Sequence, residues 1–231
     1  MQEQKKAKTI GIVGYKNDRH FGVGANYLEF VSFFGNPRIM MPGDDFVPDL
    51  DLLVLPGGLD LNPVNAGKVP SFNTTNTDVM KQYFYEVHLK KYIGKVPIFG
   101  ICLGFQQLAC FFGSKLTQDL KMHKNSLDRW EEGHKISVVG SKKKLPVNSH
   151  HHQAILLEDL GSDLKPLATS FCEDSGKTFK VKNYSPIVEA FEHKVLPIAG
   201  VQWHPEEFYD EFAVGLVEKL IEEPQLEKIK A

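Results

Sequence analysis

Val96-Pro97-Ile98-Phe99-Gly100-Ile101-Cys102-Leu103-Gly104-Phe105-Gln106-Gln107-Leu108-Ala109-Cys110-Phe111-Phe112-Gly113 is the stretch whose reading decides the fold. Its first part, VPIFGI, is a short continuous apolar run, as a strand buried on both faces requires. Its second part, CLGFQQLACFFG, has the apolar spacing of a helix and a glycine stop at Gly113. A buried strand that runs straight into a helix, with Gly-x-Cys-x-Gly at the junction, has the geometry of a nucleophile elbow. Glycines two residues either side of Cys102 relieve the crowding that side chains would cause in so tight a turn. The thiol is then presented at the carboxyl edge of a sheet and at a helix N-terminus, whose dipole and free amides favour the thiolate. The motif alone is short, and an isolated buried cysteine is more often a small hydrophobic residue.

On the N-terminal side, TIGIVGY reads as a buried strand, and ANYLEFVSFFG as a helix that packs Tyr27, Leu28, Phe30, Val31 and Phe34 on a sheet. RIMMP is a second strand. DLDLLVLPGG is a third, stopped by Pro56-Gly57-Gly58, so its carboxyl end points at a glycine loop. TDVMKQYFYEVHLKKYI is predicted to be a helix capped by Thr75, Asn76 or Thr77, with Lys90 and Lys91 complementing the dipole in its last turns, and ending at Gly94. Strands alternating with helices imply α/β architecture: a parallel sheet covered on both faces. From Lys115 to Val201 the pattern changes to short candidate strands, KISVVG, PLATSF, IVEAFE and PIAGVQW, which read as a β-rich flank closing back onto the sheet. EFAVGLVEKLIEE is a final amphipathic helix ended by Pro224. With no repeat, low-complexity segment or linker, a polar leader over 1–8 and one domain over 9–231 are expected.

Composition narrows the function classes. A chain of 231 residues with 42% hydrophobic and 24% charged residues can bury a sizeable core and lacks the signature of disorder. A formal charge of −2 provides no basic field for nucleic acid, and Lys142-Lys143-Lys144 reads as a solvated turn. The leader MQEQKKAK has no apolar signal core and no apolar run is long enough to span a bilayer, so a cytoplasmic protein without a membrane partner is expected. Cys102, Cys110 and Cys172 are an odd number without metal-ligand spacing, which argues against a disulfide framework or a zinc site. Cys110 lies on an apolar helix and reads as core.

A thiolate nucleophile needs a base, and the base needs an orienting group. IAGVQWHPEEF supplies both: an apolar strand delivers His204 to a loop, Pro205 stiffens it, and Glu206, two residues on, points the same way to hold the imidazole tautomer. Acyl transfer also needs donors for the developing oxyanion. The Gly58 amide in LPGG and the Leu103 amide after the nucleophile are the candidates.

With LPGG, GICLGFQQ and VQWHPEEF in that order, the chain resembles the class I glutamine amidotransferase superfamily. PGGLDLNP and PVNSHHHQAI, with QDL and EGHKISVVG, are similar to the γ-glutamyl-γ-aminobutyrate hydrolase branch, the peptidase C26 group. The resemblance runs from about Asp49 to Phe208 and is weak before that. It implies a flavodoxin-like three-layer αβα sandwich, a Cys102-His204-Glu206 triad, and a γ-glutamyl thioester resolved by water without a cofactor. It also implies a small-molecule γ-glutamyl substrate touched by Gly57, Gln106, Asn148, Ser149 and His150. His151 and His152 extend the motif, but with no carboxylate or thiol at ligand spacing the histidine run is expected to hold no metal. Where relatives continue the PGG-x-D-x-x-P loop with a Tyr-Gly-Glu-like sequence, this chain has Val64-Asn65-Ala66-Gly67 and a Ser/Thr/Asn-rich tract at 71–77. That departure leaves the released amine open.

Two alternatives stand beside a self-sufficient hydrolase. One is a glutaminase subunit handing ammonia to a separate synthase, and the other is a catalytically idle binding module. A synthase partner and a homo-oligomer both remain open. An α/β-hydrolase with a cysteine nucleophile is disfavoured, because there the acid precedes the terminal histidine, whereas Glu206 follows His204.

Overall fold

Strict alternation along three apolar strands divides the core into two faces, and this places the chemistry. The computed structural model describes residues 7–16, 20–41, 44–66, 77–120, 133–171, 185–208 and 210–224. Nine strands form one sheet: β1 (Thr9–Val13), β2 (Asn36–Met40), β3 (Leu52–Leu55), β4 (Ile98–Ile101), β5 (His134–Val138), β6 (Lys144–Val147), β7 (Leu164–Ser170), β8 (Ile187–His193) and β9 (Ile198–Val201). Their spatial order is β2-β1-β3-β4-β9-β8-β7-β5-β6. The first five are parallel and the last four add antiparallel.

Ile10, Ile12, Leu52, Val54, Phe99 and Ile101 point to one face, which is covered by helix α1 (Ala25–Ser32) and the C-terminal helix, introduced below. Val13, Leu53, Leu55 and Ile98 point to the other, covered by a helix over residues 79–92, termed α2, and by α3 (Leu103–Phe111). Every one of these ten side chains is at most 4% exposed, as period-2 residues must be when both faces are covered. The last helix, α4 (Glu211–Glu222), is capped by Asp210, whose carboxylate accepts from the Phe212 and Ala213 amides. The flavodoxin-like αβα sandwich implied by the sequence is therefore the architecture.

Two local expectations are corrected. The cap of α2 is Asp78, which accepts from the amides of Met80 and Lys81, rather than Thr75, Asn76 or Thr77. Of those three only Thr77 lies among the described residues, and most of the 71–77 tract falls outside them. A carboxylate at the cap serves the amides and the helix dipole together. The helix also contains a π turn at Phe84–His88, which stacks the Phe84 ring on both His88 and Tyr92. Secondly, the PIAGVQW strand belongs to the parallel core, not to the flank. As β9 it lies beside β4, with Val201 opposite Ile101, and the antiparallel strands are built outward from it. Strand β6 was not expected at all, and its exposed Lys144 and Pro146 suit a sheet edge.

At the elbow the sheet and α3 touch backbone to backbone. A Cβ on Gly104 would lie 2.1 Å from the Leu55 carbonyl oxygen, and one on Gly100 would lie 2.7 Å from the Gly104 carbonyl. Neither obstacle is a side chain that can swing away. Gly104→Ala is expected to destabilise the protein by about 3 kcal/mol or more, measured by urea unfolding; stability within about 1 kcal/mol of the parent would contradict this packing.

Candidate active site

Three loops leave the sheet at one level because their strands end in register. Leu55 of β3 pairs with Gly100 of β4, and Ile101 of β4 pairs with Val201 of β9. The next residues are Pro56-Gly57-Gly58, Cys102 and Gln202-Trp203-His204 respectively. The carboxyl edge of a parallel sheet thus collects the candidate nucleophile, base and oxyanion donors from positions as far apart as 58 and 204.

Cys102 is 4% exposed and holds φ 49° and ψ −100°, and among the described residues no other non-glycine has positive φ. The strain of such a conformation, on the order of 1–3 kcal/mol, persists where surrounding structure over-determines it. Here the over-determination is visible: the Cys102 amide donates to the Val201 carbonyl, and its own carbonyl accepts from Gln106. No side chain caps α3, so its first amides remain available to an incoming oxygen.

The His204 ring is aimed by Glu206, with 2.7 Å between Nδ1 and Oε1. Its backbone is clamped on both sides by Asn148, whose Oδ1 accepts from the His204 amide at 2.9 Å and whose Nδ2 donates to the His204 carbonyl at 3.1 Å. Burial by itself pulls the imidazolium pKa down, but a Cys102 thiolate and the Glu206 carboxylate outweigh it and leave the value well above the ordinary 6.5. The charge interaction with Cys102 is the larger of the two, so the imidazole is coupled electrostatically to the sulfur. A ring held protonated in this way contributes stability in full below about pH 6.5 and loses it as pH rises through the folded-state pKa. By NMR, His204 is expected to titrate above 6.5, and Glu206→Gln to move that titration downward. A His204 titration unmoved by Glu206→Gln would show that the carboxylate does not control the ring.

Tyr27 joins the glycine loop to this pair. Its hydroxyl accepts from the Gly57 amide at 3.0 Å and lies 3.5 Å from His204 Nδ1. Burial and the Glu206 charge push its pKa well above the usual tyrosine value, so it stays protonated and can donate to the carboxylate. The side-chain Nε2 of Gln202 donates to Cys102 Sγ at 3.7 Å. Gln106 donates to Gln202 Oε1 at 3.2 Å and to the Gln153 carbonyl at 2.9 Å, which ties α3 to the NSHHHQ loop.

Two cavities meet here. One of about 440 Å³ lies beside His204, between Tyr15, Tyr27, Asp78 and Lys81. The other is a narrow cleft over Cys102, Leu103, Gln106 and Gln153. Gly58, Leu59 and His150 line both, and Gly57 lines the larger one. Among the residues expected to contact substrate, Gly57, Gln106 and His150 therefore face a cavity. Asn148 and Ser149 line neither: Asn148 is committed to the His204 backbone, and Ser149 is fully buried. The histidine run diverges, with His150 edge-on to His204, His151 bonded to the Gln153 carbonyl, and His152 reaching Asp60 at 2.9 Å. Among the described residues no group of three or more His, Cys, Asp or Glu side chains is arranged to hold a metal. Cys110 is buried in the core cluster as expected, whereas Cys172 falls outside the described residues.

Sequence reading missed Tyr27, Lys81, Gln153 and Gln202. Tyr27 reads as an ordinary apolar helix residue, and nothing in the pattern of the 77–93 helix singles out Lys81. The one available signal was Gln202, which stands two residues before His204 and so points the same way in an extended segment.

The chain is 28% identical over 201 residues to the glutamine amidotransferase-like protein YvdE of Lactococcus lactis, covering 78% of this chain and 79% of that one. A γ-glutamyl-CDP-amidate hydrolase of Campylobacter jejuni is 31% identical over 154 residues, 67% of this chain and 61% of the relative. One subunit of the glutamine-hydrolysing GMP synthase of Archaeoglobus fulgidus is 29% identical over 182 residues, 75% and 76% of the two chains. In fold, the chain resembles a protein from Thermoplasma acidophilum described as a GMP synthase subunit, with a TM-score of 0.62 at 19% identity over 97% of this chain and 96% of that one. The peptidase C26 family model matches residues 10–206, a span that contains the glycine loop, the elbow cysteine and the His-Pro-Glu segment, and the chain belongs to that family, within the glutamine amidotransferase superfamily.

Proposed function

We propose that the protein is a cysteine-dependent hydrolase of a γ-glutamyl amide bond, acting through Cys102, His204 and Glu206. The observation that carries the reading is the strained thiol of Cys102 at an open helix N-terminus, beside an imidazole that Glu206 orients at 2.7 Å. In the first half-reaction Sγ attacks the γ-carbonyl, and the carbonyl oxygen takes the negative charge between the Gly58 and Leu103 amides. His204 then protonates the departing amine, leaving a γ-glutamyl thioester. In the second, His204 accepts a proton from water, which attacks the thioester and releases glutamate. Gln106 and His150 bound the cleft over the sulfur and take the glutamyl side. The larger cavity beside His204 takes the amine. No cofactor is required by these steps. We place the activity in residues 9–231 as one domain, in a reducing, cytoplasmic compartment that suits three cysteines without disulfide spacing. No helix among the described residues is long and apolar enough to cross a membrane.

Relatives named as GMP synthase subunits motivate a second reading, in which the same residues hydrolyse glutamine for a separate synthase. One experiment addresses both. The purified protein is treated with a glutamine-like chloroketone and the adduct mapped by mass spectrometry, then assayed against a panel of γ-glutamyl amines and glutamine. A single adduct on Cys102 with turnover of γ-glutamyl amines is the expected result. An adduct elsewhere, or no adduct, would sink the site. An adduct on Cys102 with turnover of glutamine alone, and only slowly, would favour the synthase-dependent reading.

A further inference from the structure

We propose that Lys81 is a positioning residue that locks the Gly57–Gly58 peptide with its Gly58 N–H turned toward Cys102. The inference rests on the reading of Gly58 as an oxyanion donor. Lys81 sits in the first turn of α2, yet it is buried, which lysine almost never is without a partner. Burial lowers its pKa, against the opposing pull of Asp78 and Cys102, so the position carries a desolvation cost that an apolar side chain there would avoid. What the ammonium gains is specific. Nζ donates to the Gly57 carbonyl and lies 3.7 Å from Asp78 Oδ2, while Asp78 is itself fixed by capping α2.

Gly57 is thereby held at both of its backbone polar groups, its carbonyl by Lys81 and its amide by the Tyr27 hydroxyl at 3.0 Å. A trans peptide is planar, with carbonyl and N–H pointing in opposite directions, and no cis peptide occurs among the described residues. Fixing the Gly57 carbonyl therefore fixes the Gly58 N–H. That N–H has no acceptor among the described residues. Gly58 is also wedged sterically, since a Cβ there would lie 2.7 Å from Leu103 Cδ2 and 3.1 Å from Lys81 Nζ. The lysine and the other oxyanion donor's residue both crowd the side of the glycine where a Cβ would stand.

Two successive glycines have wide conformational freedom, and an unrestrained Gly-Gly peptide can turn over. Turned over, it would present a carbonyl oxygen, which repels the charge it should stabilise. Donors aid a transition state only if their direction is set in advance. Lys81 supplies that restraint through the peptide and does not itself touch the reacting atoms. An ammonium on the Gly57 oxygen also polarises the peptide and strengthens Gly58 as a donor.

The test is Lys81→Met, which keeps the volume and removes the donor, with Lys81→Gln as a second variant that keeps a neutral donor if the methionine protein does not fold. With γ-glutamyl-p-nitroanilide as substrate, kcat is expected to fall about 10²-fold, as for loss of an oxyanion donor, with KM changed less than about threefold. Alkylation of Cys102 by iodoacetamide, which develops no oxyanion, is expected to proceed at nearly the parent rate. A crystal structure of the variant is expected to show the Gly57–Gly58 peptide turned over or in two orientations. Unchanged kcat with an unmoved peptide would overturn the proposal. So would a parallel fall in kcat, alkylation rate and substrate affinity, which marks a collapsed site. If the parent protein hydrolyses no γ-glutamyl amide while the peptide still turns over in the variant, the lock stands and the γ-glutamyl reading falls.

Discussion

Cys102→Ser is expected to reduce hydrolysis of γ-glutamyl amides by on the order of 10⁴-fold or more, the scale seen when a covalent nucleophile is removed. Serine keeps the size and the hydrogen-bonding capacity of the side chain, but a hydroxyl does not ionise beside an imidazole as a thiol does, so the loss isolates nucleophilicity. The variant should unfold at the parent temperature, because the substitution leaves the packing around a residue 4% exposed nearly unchanged. Cys102→Gly extends the argument from activity to stability. At φ 49° the backbone is strained for cysteine and relaxed for glycine, so the glycine variant should be inactive yet no less stable, despite the small void it leaves. Steady-state assay and thermal unfolding of the two variants check both halves. Residual activity above about one part in a hundred in Cys102→Ser, well outside the expected loss, would remove Cys102 from the chemistry. A clear drop in the unfolding temperature of Cys102→Gly would remove the strain.

His204→Asn is expected to cost about 10³- to 10⁴-fold in kcat, since in the proposed mechanism one imidazole serves as acid for the amine and base for water. Its second consequence separates it from a general structural defect. A cationic imidazole beside a thiol favours its reactive thiolate, so removing the ring should also slow alkylation of Cys102 by iodoacetamide near neutral pH. Asn148, which clamps the backbone of the same residue, would still hold the loop, so the fold should survive. Full-rate alkylation in His204→Asn would mean that the sulfur does not depend on this imidazole.

The parts of the molecule governed by local physics were legible in the chain. β1, β3 and β4 are continuous apolar runs bounded by glycine and proline, and they lie close to where those runs predict. Gly94 and Gly113 follow the helices they were expected to end, and both adopt positive φ. Gly100-x-Cys102-x-Gly104 told both where β4 ends and how close α3 must approach, because the two glycines answer to backbone contacts of neighbouring segments. Misreadings occurred where several local solutions had similar cost. Thr77 and Asp78 are both competent caps, and adjacent residues of that kind leave the start of α2 open by one position until the structure selects Asp78. PIAGVQW has the composition of any buried strand, so nothing within it distinguishes a parallel neighbour of β4 from an antiparallel flank strand.

By itself, then, the sequence determined the alternating β-α framework, the elbow and the identity of the groups with chemical potential, since each follows from periodicity, turn residues and side-chain type within a few positions of one another. Only the tertiary structure decided that β9 lies beside β4, and with it that His204 leaves the same sheet edge as a sulfur 102 positions earlier. It also decided that Lys81 is buried against the Gly57 carbonyl, that Tyr27 bonds the Gly57 amide, and that Asn148 holds the backbone of His204. The reason is physical: strand order and side-chain burial are settled by the packing of distant segments, whose contacts have no period and leave no mark in the residues on either side.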